Sequence, residues 1–325
     1  MDLEQLGNIQ FIIDDFQEPE IVQEQPSNIQ FIIDDFQEPA LGQEPALVQE
    51  PIQNVIKVNS EIPDSEIPDT EIPDFIFIIP YRDREAEKQL FLSKMDLLLT
   101  PKEKSVSKMF FIEQTDARTF NRGAMKNIGF LVIKQLYPNH YKNITIVFND
   151  IDTTPIKSGL INYKTTIGII KHFYGFTFAL GGIVSITGND FEKINGFPNY
   201  WAWGFEDNLL NKRAINAKIH IDRSQFYPMN SPQIIQIKGS SFKIVNRAEF
   251  DRYIQQVPEG IKSITQLDYN TTTISKNIKQ IVVDTFSTGY NENISKRIIH
   301  DLKKGSSPFT IGFSGKKRAT IGMII

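Results

Sequence analysis

Both tryptophans of the chain lie in one seven-residue segment, WAWGFED, which runs from Trp201 to Asp207. Sugars are commonly held by an aromatic face together with a carboxylate that accepts hydrogen bonds from their hydroxyl groups. A carboxyl group beside an aromatic wall can also be desolvated enough to act as a general base. The alternative is a tryptophan-anchored core turn, with Glu206 and Asp207 complementing the dipole of a following helix. The concentration of Trp, Gly and two acids in seven residues favours the first interpretation.

A second candidate group is Asp150 and Asp152, which end the apolar run ITIVFNDID. Oxygen ligands at the end of a buried strand suit Mg²⁺ or Mn²⁺ bridging a diphosphate. Taken alone, however, an Asp-x-Asp is more typical of a strand-ending turn with aspartate caps. Both interpretations stay open at this point.

Three arginines follow apolar segments in the same part of the chain. Arg82 and Arg84 come directly after FIFIIP, and Arg122 opens a helical pattern after Phe120 and Asn121. The guanidinium group can donate two parallel hydrogen bonds to phosphate oxygens in a bidentate geometry. The alternative, about equally favoured, is that these are surface arginines that form ion pairs with neighbouring acidic residues.

The elements that must position these residues alternate between strand and helix. Apolar runs predict strands over residues 75–80, 109–113 and 144–152, and helical spacing predicts helices over residues 85–99 and 122–136. This order predicts a parallel or mixed sheet covered by helices. Ligands of such sheets sit beyond the carboxyl ends of the strands, and this places residues 81–84, 114–122 and 150–152 along one rim.

In the order and approximate spacing of its motifs, the chain resembles the β-1,4-galactosyltransferase family, including its chondroitin-type relatives. The resemblance runs from about Phe75 to Asp284 and rests on the segments IIPYRDRE, FNRGAMKNIGF, VFNDIDTTP, GGIVSITGNDFEKINGFPNYWAWGFEDN, FDRY, GIKSITQLDYN and IKQIVVD. It implies a GT-A fold, in which helices flank a mixed central sheet. It also implies an inverting transferase that uses UDP-galactose or a UDP-N-acetylhexosamine with Mn²⁺ or Mg²⁺.

The resemblance assigns roles by motif. Asp207 matches the family's catalytic base, Glu206 beside it is a second candidate catalytic residue, and Asp152 matches the carboxylate that binds manganese. The donor-binding candidates are Pro80, Arg82, Arg84, Phe120, Arg122, Asp150, Asp152 and Trp203. The acceptor-binding candidates are Trp203, Phe250 and Tyr253.

One departure from the family concerns the metal. The family supplies further ligands from a Met-x-x-His segment before its Phe-Asp-Arg, whereas the matching residues 234–239 read IIQIKG and contain no His. Two alternatives follow. Either His220, Met229 or water completes a metal site, or Lys238 neutralises the diphosphate directly, as in some metal-independent transferases of this fold.

Charge divides the chain into unlike parts. Residues 1–74 hold 18 acidic residues and one basic residue, so the remainder, with 34 basic and 21 acidic residues, carries a formal charge of +13. Such a body suits RNA, a membrane surface or an anionic small substrate, and charge alone does not choose among them. The motifs favour the small substrate, so we expect neither nucleic-acid binding nor membrane insertion.

The predicted domains follow this division. Residues 1–74 contain two identical copies of NIQFIIDDFQEP, at 8–19 and 28–39, followed by proline-rich SEIPD repeats. We expect a disordered acidic arm over 1–74, a catalytic domain over 75–285 and a basic tail over 286–325. The two repeats are either docking motifs for a protein partner or part of a tail that keeps the body soluble. The chain has no Cys and no long apolar run, which predicts a cytoplasmic protein.

The predicted function is transfer of a hexose or N-acetylhexosamine from a UDP-sugar donor to a glycan hydroxyl group. A degenerate relative that binds a sugar nucleotide or glycan without turnover is the main alternative, and a polyanion-binding protein is a third. Richness in Ile, Asn and Lys also resembles proteins of large amoeba-infecting viruses, which would place the protein in the host cytoplasm or the virion.

Overall fold

The computed structural model describes residues 57–58, 72–237, 239–304 and 308–309. The two NIQFIIDDFQEP repeats, Lys238 and the end of the predicted basic tail therefore lie outside the described residues. Among the described residues, no helix is both long enough and apolar enough to cross a lipid bilayer.

The described part of the chain alternates between strands and helices, as predicted. The strands are β1 Lys57–Val58, β2 Phe75–Tyr81, β3 Ser107–Gln114, β4 Thr145–Asn149, β5 Thr153–Pro155, β6 Ile169–Gly175, β7 Ile183–Thr187, β8 His220–Asp222, β9 Tyr227–Pro228, β10 Ile234–Gln236, β11 Phe242–Asn246, β12 Thr265–Ser275, β13 Ile278–Ser287 and β14 Arg297–Asp301. The helices are α1 Glu85–Leu98, α2 Pro101–Val106, α3 Arg122–Leu136, α4 Gly188–Lys193, α5 Glu206–Asn216 and α6 Arg247–Gln255.

A mixed central sheet organises these elements. Its strand order is β1-β12-β13-β3-β2-β4-β7-β6-β8, and β9 also pairs with β6. The strands β13, β3, β2 and β4 run parallel to one another, whereas β7 is antiparallel to both of its neighbours, β4 and β6. The predicted fold class, a mixed sheet flanked by helices, is confirmed.

Strand β2 is buried over its whole length because it lies in the middle of the sheet and helices cover both faces. Ile76 and Ile78 pack in one core cluster with α3. Phe77 and Ile79 point to the opposite face, where they pack with Phe91 of α1. This two-residue alternation across a doubly covered sheet explains why the sequence of β2 is continuously apolar.

The predicted strand over residues 144–152 is shorter in the structure, where β4 ends at Asn149. The chain then turns, and the amide of Thr153 donates a hydrogen bond of 3.1 Å to the carbonyl of Asp150. Asp150 and Asp152 therefore sit in the turn between β4 and β5, beyond the carboxyl end of the parallel strand.

Two small sheets flank the cleft at this end. Strand β10 pairs antiparallel with β5, and β11 pairs antiparallel with β14. Strand β14 belongs to the segment predicted as a basic tail, and it extends the described structure around β11.

Helix α3 begins where a close backbone approach requires glycine. The side chain of Asn121 caps the helix by accepting a 2.8 Å hydrogen bond from the amide of Ala124. A Cβ atom at Gly123 would lie 1.9 Å from the carbonyl oxygen of Pro198. The first turn of α3 can pack against the 195–201 loop only because residue 123 has no side chain.

Asn127 joins the same helix and loop through hydrogen bonds. Its side-chain amide donates to the carbonyl of Phe197 and to Oδ1 of Asn199, both at 2.8 Å. Its own Oδ1 accepts from the amide of Phe197 at 3.0 Å. The loop that leads into the tryptophan segment is therefore fixed to α3.

Candidate active site

The candidate active site lies beyond the carboxyl ends of β2 and β4, where the N-termini of α3 and α5 approach the same cleft. Six of the predicted residues interact there through hydrogen bonds or through their charges: Arg84, Arg122, Asp150, Asp152, Glu206 and Asp207. The rim predicted from the strand order is therefore where these side chains meet.

Asp207 is the second residue of α5, and its side chain is 28% exposed. Helix α5 starts after Phe205, whose backbone adopts the left-handed conformation with φ of 72°. The backbone carbonyl of Asp207 accepts a 3.0 Å hydrogen bond from the amide of Leu180. A Cβ atom at Gly181 would lie 2.3 Å from Oδ2 of Asp207. The carboxylate therefore rests directly against a glycine backbone, and this contact limits its movement.

A buried lysine accompanies this carboxylate, and the sequence interpretation missed it. Lys126 of α3 is 2% exposed, and its ammonium nitrogen lies 3.1 Å from Oδ1 of Asp207. The same nitrogen lies 4.4 Å from the ring centre of Phe197. Burial lowers the pKa of Lys126, but the carboxylates of Asp207, Asp150 and Glu206 outweigh burial and raise it above its ordinary value. Lys126 is therefore a fixed positive charge in the cleft.

The carboxyl groups respond to the same environment. Desolvation raises the pKa of Asp207, although Lys126 acts in the opposite direction. Desolvation also raises the pKa of Asp150 to about 6, again against the effect of Lys126. A carboxyl group with a raised pKa is a stronger base than a solvated one, and this is the property that proton removal from an alcohol requires.

Arg84 is held against Asp152. Its Nη1 donates a 2.8 Å hydrogen bond to Oδ2 of Asp152, and its Nε donates a 3.0 Å hydrogen bond to Glu87. The other oxygen of Asp152 accepts from the hydroxyl of Thr153 at 3.1 Å. Asp152 therefore has both carboxylate oxygens engaged by protein groups.

Arg82 points away from the acidic cluster. One of its nitrogens donates to the carbonyl of Arg118, and others lie 3.8 Å from Asp83 and 3.9 Å from Asp116. This arrangement corresponds to the alternative of a surface arginine paired with neighbouring acids. A donor-binding role for Arg82 stays a prediction.

The remaining donor candidates discussed here are Pro80 in β2, and Phe120 and Arg122 at the start of α3. Pro80 is buried within β2, where it is paired with Ile112 of β3. The guanidinium of Arg122 lies 5.0 Å from the ring centre of Phe120. Among the described residues, Arg122 forms no ion pair with an acidic side chain, but its charge opposes the rise in the pKa of Asp150 and of Asp207.

The two tryptophans have different surroundings. Trp201 is 2% exposed, stacks on Phe286 and donates through Nε1 to the carbonyl of Tyr290 at 3.2 Å. Trp203 is half-buried and belongs to a separate aromatic cluster. Trp201 therefore anchors the core, as the alternative interpretation of this segment predicts, and contact of Trp203 with a sugar stays a prediction.

The acceptor candidates belong to the cluster beside Trp203. Phe205 lies 5.0 Å from Phe250 and is stacked on Tyr253 at 5.1 Å, measured between ring centres. Phe250 is 5% exposed and Tyr253 is half-buried. Contact of either residue with an acceptor stays a prediction, and Phe250 offers little surface for it.

A second set of buried charges lies behind this cluster. Arg252 donates to Glu249 at 2.6 Å and also forms an ion pair with Glu259, so two buried glutamates share one arginine. One carboxylate oxygen of each glutamate has no hydrogen-bond partner. Desolvation raises the pKa of Glu249 to about 7, even though Arg252 lowers it.

This cluster predicts a pH-dependent stability. Because the pKa of Glu249 is higher in the folded chain than in the unfolded chain, its contribution to stability is complete below pH 4.5 and is lost as the pH rises to 7. We expect the free energy of unfolding of the wild type to fall by on the order of 3 kcal/mol across this range. The Glu249→Gln variant, which has no carboxyl group at this position, should not show this fall. Urea unfolding at pH 4.5, 6 and 8 measures it, with Asp96→Asn, at an exposed aspartate, as the control. Parallel curves for the wild type and Glu249→Gln would contradict the assignment.

The side chains present do not fit a divalent metal. Within the described ranges, no group of three or more His, Cys, Asp or Glu side chains is arranged to hold a metal ion. His220 lies on the edge strand β8, and Met229 packs against the core, so neither completes a set around Asp152. Lys238 lies outside the described residues. Manganese binding by Asp152 stays a prediction.

Comparison with known proteins agrees with this architecture. A family model described as the N-terminal region of glycosyl transferase group 7 matches residues 54–163, and one described as the N-terminal domain of galactosyltransferase matches residues 169–238. The two matches together cover more than half of the chain. The chain belongs to the β-1,4-galactosyltransferase family.

Individual relatives support the same assignment. The chain is 32% identical to the xylosylprotein 4-beta-galactosyltransferase of Caenorhabditis elegans over 155 residues, which are 45% of this chain and 52% of that protein. The chain spans about half or less of the length of the curated relatives that it matches.

One solved structure shows the same fold, and a second is reported beside it. The catalytic domain of Drosophila beta1,4-galactosyltransferase 7, in complex with xylobiose, matches with a TM-score of 0.51 and 21% identity over 66% of this chain and 95% of that domain. A variant of the same fly enzyme, solved with manganese, UDP-Gal and xylobiose, matches with a TM-score of 0.49 and 18% identity over 69% of this chain and 97% of that one. Those ligands belong to the fly enzyme.

Proposed function

We propose that this protein is an inverting glycosyltransferase that moves a hexose or an N-acetylhexosamine from a UDP-sugar to a glycan hydroxyl group. The observation that carries the proposal is the position of Asp207. Its desolvated carboxylate lies at the start of α5, in the same cleft as the cations of Arg84 and Arg122. A base and an anion-binding group in one cleft are what transfer from a nucleotide diphosphate requires.

In the proposed reaction, Asp207 accepts the proton of the acceptor hydroxyl group. The acceptor oxygen then attacks the anomeric carbon from the side opposite the diphosphate. The bond between this carbon and the diphosphate oxygen breaks, and its electron pair leaves with UDP. Arg84 and Arg122 stabilise the charge that develops on the diphosphate. A single displacement of this kind inverts the anomeric configuration.

The names of the relatives support the donor class. The nematode relative is a galactosyltransferase, and a Lymnaea stagnalis relative, 31% identical over 156 residues, is an N-acetylglucosaminyltransferase. These names cover both a hexose and an N-acetylhexosamine. The proposed donor is therefore a UDP-sugar, and a donor assay must identify whether the sugar is a hexose or an N-acetylhexosamine.

The main alternative is a relative that binds a sugar nucleotide or glycan without turnover. The poor fit of the cleft to a divalent metal favours this alternative. Incubating the full chain with radiolabelled UDP-galactose, UDP-N-acetylglucosamine and UDP-N-acetylgalactosamine, with and without Mn²⁺, separates the two. Slow release of free sugar that Asp207→Asn abolishes supports transfer. UDP binding without any release of sugar supports the alternative.

The acceptor is predicted to differ from simple N-acetylglucosamine. Tyr253 stands where the family usually has an aliphatic residue, and it stacks on Phe205 beside Trp203. Glu249 replaces a common arginine and is buried against Arg252. We expect free N-acetylglucosamine to be at least about tenfold poorer than a preferred glycan acceptor, since one altered pocket contact is worth about that factor. An acceptor screen at fixed donor concentration measures the ratio, and efficient use of the free sugar would contradict the prediction.

Location and protein partners remain proposals that rest on the sequence. We propose a cytoplasmic location because the chain contains no Cys. We propose a protein partner for the repeats at 8–19 and 28–39, whose identical FII segments offer paired apolar anchors. Deleting residues 1–74 should then abolish capture of that partner while leaving donor turnover intact.

A further inference from the structure

His172 is a buried histidine that the proposed reaction does not use. It lies on β6 and is 0% exposed. Its Nε2 lies 3.0 Å from the carbonyl oxygen of Tyr174 and 3.2 Å from the carbonyl oxygen of Gly181. Carbonyl oxygens can only accept hydrogen bonds, so Nε2 carries a proton and donates to both of them.

The other ring nitrogen of His172 accepts a hydrogen bond. Nε of Arg223 donates to Nδ1 at 3.2 Å, and a guanidinium group can only donate. His172 is therefore a neutral imidazole with its proton on Nε2. Burial and the charge of Arg223 lower the pKa of His172 to about 4, although the hydrogen bonds to the two carbonyls act in the opposite direction. A protonated ring would direct a second N–H at the donor of Arg223.

These two side chains hold the connection between β6 and β7. Nη2 of Arg223 donates a 2.7 Å hydrogen bond to the carbonyl of Thr177. Together with the donor of His172, it engages three backbone carbonyls between Tyr174 and Gly181. The pairing of β6 with β7 is irregular here, with a register shift between His172 and Tyr174. The imidazole therefore supplies a side-chain donor where the ladder is interrupted.

The far end of this connection touches both acids of the site. The backbone of Gly181 lies directly against Oδ2 of Asp207, and the amide of Leu180 donates a 3.0 Å hydrogen bond to the carbonyl of Asp207. The carbonyl of Gly182 accepts a 3.1 Å hydrogen bond from the amide of Asp150. The hydrogen bond from the imidazole to Gly181 therefore fixes the backbone on which the proposed base rests.

We infer that His172 is a positioning residue for Asp207: its neutral imidazole holds the carbonyl of Gly181 and so keeps in place the backbone against which the carboxylate packs. This inference rests on the proposed function. His172 exchanges no proton in the reaction. The proton of the acceptor hydroxyl group goes to Asp207, and the electron pair of the bond that breaks leaves with UDP.

Single-turnover transfer by His172→Phe tests the inference. A phenyl ring fills a similar volume but makes neither hydrogen bond. At saturating donor and acceptor, we expect the rate to fall by roughly 10- to 100-fold, since a displacement of about 1 Å at a reacting group has an effect of this size. UDP affinity should change by less than about threefold, because the base does not act on the nucleotide. His172→Gln, whose amide both donates and accepts, should restore most of the rate.

Thr145→Val is the matched control for a loss of stability. Thr145 is 0% exposed and lies at the start of β4, at the end of the sheet opposite to the site. Its hydroxyl donates to the carbonyl of Thr165 at 3.2 Å and accepts from the amide of the same residue at 3.1 Å. The variant should lower the urea midpoint, as His172→Phe does, and leave the transfer rate unchanged.

A double variant tests whether the effect passes through Asp207. In the Asp207→Asn background, His172→Phe should lower the remaining transfer by less than about twofold, because no base is left to position. An equal loss in both backgrounds would show that His172 acts by another route, and it would overturn the inference.

Nitrogen-15 NMR gives a readout that needs no catalysis. The chain contains four histidines, so comparison with His172→Gln assigns the ring signals of His172. We expect a neutral ring with the proton on Nε2 at both pH 6 and pH 8. A protonated ring, or a proton on Nδ1, would overturn the inference.

Arg223→Met serves as the second variant if His172→Phe does not fold. Arg223 is half-buried, and its loss removes the hydrogen bonds to Nδ1 of His172 and to Thr177. We expect transfer to fall by about threefold to tenfold at unchanged UDP affinity, the usual size of an effect that passes through a neighbouring residue. An unchanged rate would overturn the inference.

The possible outcomes separate the inference from the proposed function. Transfer that Asp207→Asn abolishes and His172→Phe leaves intact overturns the inference, and the proposed function stands. Absence of both sugar transfer and sugar release in the wild type overturns the proposed function, and the inference with it.

Discussion

Replacing Asp207 by Asn should lower the rate of sugar transfer by about 10²–10⁴-fold, the usual effect of removing a general base. UDP affinity should stay nearly unchanged, because the base acts on the acceptor hydroxyl group and does not act on the nucleotide. The amide is nearly isosteric with the carboxylate, so its oxygen can still accept the hydrogen bond from Lys126. The protein should therefore remain folded.

Single-turnover transfer and calorimetric UDP binding measure the two quantities separately. Asp96→Asn is the control, because Asp96 is an exposed aspartate of α1 that pairs with Lys104. Transfer by Asp207→Asn at more than a tenth of the wild-type rate would remove Asp207 from the mechanism. A parallel loss of UDP binding would assign Asp207 to donor binding.

Replacing Lys126 by Met should have the largest effect on stability. The change leaves Asp207, Asp150 and Glu206 without the buried cation that their charges face. Removing one partner of a buried ion pair is strongly destabilising, so we expect a loss of about 3 kcal/mol in the free energy of unfolding. The pKa of Asp207 and of Asp150 should also rise, because Lys126 is the largest influence that lowers both.

Urea unfolding and the pH dependence of donor turnover test this prediction. Loss of Lys126 should move the acidic limb of the pH profile to higher pH, because Asp207 must be deprotonated to accept a proton. The double variant Lys126→Met, Asp207→Asn should be less destabilised than the sum of the two single variants, since both changes remove the same pair. Additive losses and an unmoved pH profile would show that the pair is not coupled.

The parts of the fold that follow from local periodicity could be predicted from the sequence. Helix α3 has the predicted bounds of 122–136, because its apolar residues repeat at helical spacing and Asn121 caps it. The strand ends predicted a rim at which Arg84 and Asp152 do meet, whereas Asp207 was predicted from its own motif. Such features depend on neighbours in the sequence and on the general topology of parallel sheets.

A charged residue that is buried within an apolar helix segment was harder to predict. Lys126 was missed because a lysine between apolar residues is usually placed on the solvent side. The available signal was its position inside a run of small and apolar residues, from Gly123 to Phe130, all of which are buried.

Backbone conformation explains the difference between the two nearby arginines. Arg82 and Arg84 are two residues apart, and a continuous strand would direct both side chains to the same face. Strand β2 ends at Tyr81, and Asp83 has a positive φ of 50°. The chain turns between the arginines, so only Arg84 reaches Asp152.

Helix α3 carries three parts of the site on little more than one turn. Arg122 at its start is proposed to bind the diphosphate, Lys126 pairs with the proposed base Asp207, and Asn127 fixes the loop that leads to Trp203. Each residue of a helix is rotated by about 100° from the one before it, so a single insertion after Arg122 would turn all the later groups away together. Surface loops often tolerate insertions, but an insertion in this helix would disrupt all three groups. The chemistry of the site can therefore change by substitution of these residues and not by a change in the length of α3.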